Sequence, residues 1–359
     1  MRVTIDATSA LLRSAGVKGY IWHWIRQLRR LEQGEEIRAF PYLNDLGPLD
    51  HNTSNLSFLR TVPRIALLHF VNIPGNPALD WMLRGTDIFH ASNQVHRAPR
   101  KVKLTATIHD LTALAMPELH TAGNVRADTT FVENILRRAH GLIAVSENTR
   151  QDAIRHLGIP PDRIETIYNG VAEEYFDAAP TPRTRPYVLY VGTIEPRKNL
   201  DRLLDAWRGL PAELRAAFDL VIAGPAGWNT EATFARIQRE AVYLGYVPER
   251  DLPGLTAGAA VFVYPSLYEG FGFPVAQAMA ARVPVVTSNT SCLPEITGGH
   301  AALVDPRSPG EITAGLARLL TSESERSRLA IPARRRAEQF RWEECASRSL
   351  LFFRRIAGS

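Results

Sequence analysis

Cysteine is scarce in this chain of 359 residues: Cys292 and Cys345 are its only two, and they stand far apart. That leaves no disulfide framework and no paired-thiol metal site, and it fits a reducing compartment. No apolar run approaches the ~18 residues of a membrane span. Met1 leads directly into RVTIDA, without the basic and apolar regions of a secretory signal, so a cytoplasmic location is expected. No G-x-G-x-x-G follows the first strand with an acidic residue near the second, which counts against a nicotinamide-dependent dehydrogenase. No base-reading motif accompanies the basic residues, so nucleic acid is not an expected partner.

What is present describes a globular protein with more than one core. The hydrophobic content of 45% and charged content of 22% are ordinary for a soluble fold, and the length is about twice the ~150-residue norm for one domain. The formal charge of +5 is concentrated late: nine arginines stand against three glutamates from residue 326 onward. A basic C-terminal helix of this kind is usually a solvated face, and contact with an anionic membrane at the inner face of the cell membrane is a second reading. The stretch GYIWHWIRQLRRL (19–31) suits an interfacial helix. The spacing of Ile21, Trp24, Ile25 and Leu28 suits equally a helix packed on a sheet.

Short β-rich runs alternate with helical ones. RVTIDA, DIFHAS, KLTATIHD, GLIAVS and RIETIYNG read as strands in the first half, with helices over 18–32, 130–139 and 147–157. After the polar, proline-bearing stretch DAAPTPRTRP (177–186) the plan restarts with PYVLYVG, DLVIAG, VYLGY, AVFVYPS and PVVTS. This alternation predicts α/β architecture: two Rossmann-like, doubly wound parallel sheets, in domains 1–176 and 186–340, facing a central cleft where such sheets bind ligands.

The chemistry is concentrated at strand ends of the second half. In YEGFGFPVAQAMA (268–280), Gly270 and Gly272 permit close backbone approach and positive φ, and Pro274 suits the first turn of a helix. Strand, glycine turn and helix start together form an anion site. Arg197 and Lys198, after PYVLYVG, add two fixed cations of the kind a diphosphate takes. Each motif alone also fits a bland reading, a loop-to-helix connection and a solvated helix start.

VGTIEPRKNL, LGYVPERDLPGL, YPSLYEGFGFPVAQAMA and VPVVTSNTSCLPE resemble the donor domain of the family 4 retaining glycosyltransferases, of GT-B architecture. IHD (108–110), AVSENTRQD (144–152) and IYNGV (167–171) resemble the family's N-terminal domain, and QFRWEECA its closing helix, which implies that 341–359 returns to that domain. The resemblance implies sugar transfer from a nucleotide diphosphate-sugar to a glycan or lipid-linked acceptor, with retention and without an essential metal or other cofactor. It implies that Arg197 and Lys198 hold the diphosphate, Glu269 contacts the donor sugar, and the backbone of Phe271, Gly272 and Phe273 cradles hydroxyls and phosphate. Tyr246 and Val247 fall where the base is held, and His109 where the family places a sugar-contacting histidine.

Two departures stand out. The family's N-terminal loop often reads G-I-G-R-Y, whereas Gly16, Val17, Lys18, Gly19 and Tyr20 shift the cation by one place. The second family glutamate, which accepts from both ribose hydroxyls, is here Gln277. The run VGTIEPRKNL with SLYEGFGFP resembles mannosyltransferases of bacterial surface polysaccharides, which makes GDP-mannose the first donor to consider. A nucleotide-sugar epimerase of the same fold and a catalytically weak nucleotide-sugar binder are the alternatives.

Overall fold

The computed structural model describes every residue except Ala15, Gln33 and Ser359. The chain divides into two compact units, residues 1–170 with 342–359, and residues 171–341.

Unit 1 contains six parallel strands: β1 (Arg2–Asp6), β2 (Glu36–Phe40), β3 (Ile88–Ala91), β4 (Lys103–Ile108), β5 (Gly141–Ala144) and β6 (Ile164–Thr166), in the order β2-β1-β3-β4-β5-β6. Unit 2 contains β7 (Tyr187–Val191), β8 (Asp219–Ala223), β9 (Val242–Gly245), β10 (Val261–Tyr264), β11 (Val285–Ser288) and β12 (Ala302–Val304), ordered β12-β11-β10-β7-β8-β9. Each sheet is covered by helices on both faces, so its central strands are continuous apolar runs such as YVLYV and VFVY rather than alternating ones. In each sheet the strand order reverses once, between β1 and β3 in unit 1 and between β7 and β10 in unit 2. Ligand crevices of open α/β sheets form outside such switch points.

The α/β, doubly wound reading holds. The two strands it omitted, β2 and β12, are edge strands. β2 alternates charged and apolar residues (EIRAF) and β12 is three residues long with Leu303 37% exposed, so neither carries a buried apolar run. The helix expected over 130–139 begins earlier, at Ala122, where the Thr121 hydroxyl accepts from the Asn124 N–H (3.2 Å). Its first two turns are largely exposed and show no apolar period.

The stretch 177–186, expected as the linker, belongs to unit 2, where the Thr181 N–H donates to the Gly254 carbonyl (2.9 Å). Phe176 just before it lies beneath the guanidinium groups of Arg334 and Arg341 (4.4 and 3.5 Å to the ring centre). The chain passes between units instead at 170/171 and 341/342. Its last helix, Trp342–Gly358, packs on the helix Gly16–Arg30 within unit 1: Trp24 Nε1 donates to Ser349 Oγ (3.0 Å) and the His23 ring stacks on Trp342 (5.4 Å).

This packing corrects the two membrane candidates. Tyr20, Ile21, Trp24 and Ile25 of the first helix are core, as are Leu350, Phe352 and Phe353 of the last. Arg348 and Arg355 pair with Glu165, and Arg354 with Glu35. Among the described residues no helix is long and apolar enough to cross a membrane.

Gly170 sits where this last helix begins. A Cβ there would lie 2.4 Å from the Trp342 ring and 2.5 Å from its Cα, and a backbone atom is hard to displace. Gly170→Ala is expected to destabilise unit 1 by about 1–3 kcal/mol, as overpacking does. Denaturant unfolding of the variant checks this, and an unchanged midpoint would contradict the contact.

Candidate active site

The switch point of unit 2 brings together residues 66–72 positions apart in sequence. After β7 the chain makes a short 3-10 turn, Pro196–Lys198, ending at Asn199 in the left-handed region (φ 64°). Asparagine tolerates that conformation because its side chain can bond locally. Here the amide donates to the carbonyls of Pro265 (2.9 Å) and Pro306 (2.7 Å), fastening this turn to the loop after β10. The Leu267 N–H donates to the Arg197 carbonyl (2.9 Å) across the same seam.

Glu269 is buried there among cations. Lys198 Nζ donates to its Oε1 (2.6 Å) and to the Tyr264 hydroxyl (2.7 Å). Arg197 Nη1 donates to Oε2 (3.1 Å), and the Ser266 hydroxyl to Oε1 (2.6 Å). Arg197 Nη2 also donates to buried Glu195 (2.9 Å). Burial alone would raise the Glu269 carboxyl, but the charges of Lys198 and Arg197 and the bonds from Lys198 and Ser266 bring it down from 4.5 to about 2. It is therefore an anion at neutral pH, unable to serve as a proton donor. Two carboxylates balance two cations in this cluster. Lys198 has three N–H donors and two protein acceptors among the described residues, so one donor remains for a ligand.

The glycine turn follows. Gly272 is left-handed (φ 80°), and a Cβ there would meet Leu293 Cδ2 at 2.8 Å, so both conformation and space require glycine. It begins the helix Phe273–Ala280, whose N-terminus no side chain caps. Phe271 is buried edge-on against Phe273 (5.3 Å) and Phe340 (5.4 Å), which fixes the turn. Gln277, one turn into the helix, is half-buried, and its amide makes no hydrogen bond among the described residues. Tyr246 and Val247 follow β9, half-buried, at the carboxyl end of the same sheet.

In unit 1, His109 follows β4 and lines a pocket of about 170 Å³ with Val17, Ser92, Asn93, Asp110 and Asp128. Its Nε2 lies 3.3 Å from the Ser92 hydroxyl and its ring meets Tyr20 edge-on (5.0 Å). Surrounding protein pushes its pKa down from 6.5 to about 4, against the opposing pull of Asp110, so the imidazole is neutral at pH 7. The buried Asn93 Oδ1 has no hydrogen-bond partner among the described residues. Asp110 accepts from the N–H (3.0 Å) and hydroxyl (2.8 Å) of Thr112, starting the next helix.

Lys18 is different from the expectation of a ligand contact. It is buried, and its ammonium donates to the carbonyls of Leu12 (2.8 Å), Asp50 (2.6 Å) and Thr53 (2.5 Å), which uses all three N–H groups to tie loops together. Gly16 begins the helix, exposed, with open space around it.

Glu195, Tyr264, Ser266 and Asn199 are the partners that sequence reading did not single out. The first and last lie inside the quoted EPRKN run and the other two inside YPS. Their roles depend on which hydroxyls and carboxylates face the switch point, which spacing alone does not give. Among the described residues no group of three or more His, Cys, Asp or Glu is placed to hold a metal.

A switch-point cation–carboxylate cluster beside an uncapped helix, on one of two doubly wound domains, is the architecture of a GT-B glycosyltransferase. The family model "Glycosyltransferase Family 4" matches residues 14–175 and "Glycosyl transferases group 1" matches 171–336. The chain is 32% identical over 365 residues to the O-antigen chain mannosyltransferase B of Escherichia coli, covering 93% of this chain and 94% of that one. Among solved structures it is similar to the sucrose-phosphate synthase of Thermosynechococcus elongatus (TM-score 0.74, 18% identity, all of both chains). It is also similar to HepE of Anabaena in complex with UDP and glucose (TM-score 0.70, 17% identity, 98% of each). The chain belongs to the glycosyltransferase family that these two domain models describe.

Because the Glu269 carboxyl titrates near 2 instead of 4.5, its contribution to stability is complete above pH 4.5 and is lost as the pH falls toward 2. The shift is worth on the order of 3 kcal/mol. Glu269→Gln, which cannot titrate, is expected to flatten the fall in unfolding free energy over that window. Equal pH slopes in denaturant titrations of the two proteins would show that the ion pair does not form.

Proposed function

We propose that the chain transfers mannose from GDP-mannose to a hydroxyl of a glycan or lipid-linked acceptor, with retention of anomeric configuration and without an essential metal. The observation that carries the reading is the Arg197–Lys198–Glu269 cluster beside an uncapped helix at the switch point of unit 2. The mannosyltransferase relative supports the choice of sugar, and GDP follows from that choice.

In this reading Lys198 and Arg197 bind the diphosphate and stabilise the negative charge that grows on it as the bond from the anomeric carbon to the phosphate oxygen breaks. The acceptor hydroxyl attacks the same face, and its proton passes to the departing phosphate oxygen. Glu269, held as an anion by both cations and Ser266, aligns the cations and the donor sugar; it is not the nucleophile. The neutral His109 and the unpartnered carbonyl of Asn93 offer hydrogen bonds to sugar hydroxyls from unit 1. Gln277 takes the place of a carboxylate beneath the ribose. An amide has one acceptor oxygen and two N–H donors, so it serves both ribose hydroxyls only when one of them accepts.

A thermal-shift screen of UDP-, GDP- and ADP-sugars identifies the donor. A ligand at 100 times its Kd is expected to stabilise by about 2.7 kcal/mol, and silence from GDP-mannose beside a response to another donor would replace it. Product NMR reads the anomeric outcome, and an unchanged rate in EDTA is the expected result for metal.

Lys198→Ala is expected to lower turnover by roughly 10²–10³-fold while the fold survives, since Arg197 still pairs with Glu269. A wild-type rate in a folded variant removes Lys198 from the site.

Gln277→Glu restores a charged acceptor. Because hydrogen bonds to charged groups exceed neutral ones by about 1–2 kcal/mol, nucleotide affinity is expected to rise roughly tenfold, and to fall in Gln277→Ala. Calorimetric titration of GDP into both decides, and two unchanged dissociation constants exclude the ribose contact.

A further inference from the structure

The helix Ala122–Asn134 carries Asp128 three and four residues before Phe131 and Val132, so all three fall on one side of it. Phe131 and Val132 are buried in the core of unit 1 and, with Leu114, give the pocket beside His109 an apolar wall. Asp128 lines the same pocket. An apolar wall facing a few convergent polar groups is the usual make-up of a small-ligand site.

The polar groups of this lining share one property: none is positively charged. Among the described residues no Lys or Arg lines the pocket, and His109 is held neutral by burial. Asp110 already accepts from the N–H and hydroxyl of Thr112. Asp128, by contrast, makes no hydrogen bond or ion pair with the described residues. Burial first and the charge of Asp110 second push its carboxyl up to about 6, so above that pH it is an anion with no cation beside it. The buried Oδ1 of Asn93 also finds no partner among the described residues. Such a lining takes hydrogen-bond donors that bring no negative charge. A sugar ring supplies them as hydroxyls, together with C–H faces for the apolar wall, whereas a phosphate or carboxylate on that ring meets like charge.

We propose that Asp128 selects the acceptor by charge: its carboxylate accepts from a hydroxyl of an uncharged sugar ring in the unit 1 pocket and repels sugars that carry a phosphate or carboxylate. Selection of this kind works by what it rejects, because a like charge at contact costs more than one lost hydrogen bond. Asp128 moves no proton in this assignment; it sets which ring is held. That the ring is the acceptor rests on the proposed transfer, whereas the selection by charge does not.

The test is saturation-transfer NMR of the full chain, without donor and near pH 8, titrated with methyl α-mannoside, mannose 1-phosphate and mannose 6-phosphate so that both ends of the ring are probed. Each phosphate is expected to bind roughly tenfold or more weakly than the mannoside. Asp128→Asn is expected to narrow that gap and Asp128→Lys to reverse it. Both variants should unfold no earlier than wild type on heating, since Asp128 bonds to no described protein group. A wild-type chain that binds the phosphates as tightly as the mannoside, or binds none of the three, overturns the proposal. Binding that ignores both substitutions lies elsewhere in the molecule and overturns it too. If the selection appears and GDP-mannose still yields no transfer to the mannoside, the role of Asp128 stands and the proposed reaction falls.

Discussion

Glu269 and Lys198 leave water together, and the ligand end of unit 2 is organised around that pair. A carboxylate alone at this depth would take up a proton, and an ammonium alone would give one up. Side by side at 2.6 Å, with Arg197 on the other carboxylate oxygen, the Glu269 carboxylate keeps its charge. Because the partners come from the loops after β7 and β10, the pair also fixes the separation of those loops, with Asn199 acting as a second fastening. Glu195 completes a balance of two charges of each sign. In the proposed reaction a diphosphate would add negative charge to a cluster that is already neutral, so its compensation would depend on the remaining Lys198 donor and on the uncapped start of the helix at Gly272, whose dipole is fixed in place before any ligand arrives.

Unit 1 solves a different problem, holding a neutral histidine still. Tyr20 lies edge-on to His109, and its hydroxyl is 3.2 Å from that of Thr107. The Thr107 hydroxyl in turn is 2.9 Å from His90 Nε2, whose Nδ1 is 2.9 Å from Thr105 Oγ1. His90 is fully buried and its pKa is pushed down to about 3, burial being the larger cause and His109 the smaller. A chain of neutral donors and acceptors runs beneath the pocket, with every ring locked by Trp24, Phe353 or Trp342. Nothing in that chain changes charge near neutral pH, whereas Asp128, across the same pocket, is pushed up to about 6 by burial and by Asp110.

Sequence carried the architecture because buried parallel strands are continuous apolar runs, and YVLYV or VFVY needs no neighbour to be recognised. It carried Arg197, Lys198, Glu269 and Gly272 because strand end, glycine and helix start occur in a readable order. It did not carry the edge strands β2 and β12, the one broken by charged residues and the other only three residues long, whereas the edge strands β6 and β9 are legible in RIETIYNG and VYLGY. Lys18 was legible as a cation near a glycine loop, but not as a donor to three carbonyls, because the carbonyls of Asp50 and Thr53 come from a loop with no periodic signal. The membrane-like signature of GYIWHWIRQLRRL arose from the same cause that makes it core: aromatic and aliphatic residues at helical spacing pack against lipid or protein alike. Only the position of the last helix decides between them.

That last helix gives the two units different histories. Residues 171–341 form a continuous segment, so a growing chain has all of unit 2 in hand while unit 1 still lacks Trp342–Gly358. Until those residues emerge, Trp24 has no Ser349 to receive its N–H, and Gly141 faces an empty place where Phe352 and Ile356 belong. The half of the protein made first is the half finished last, and its apolar seam stays open to water, or to a chaperone, for the time needed to synthesise the other half.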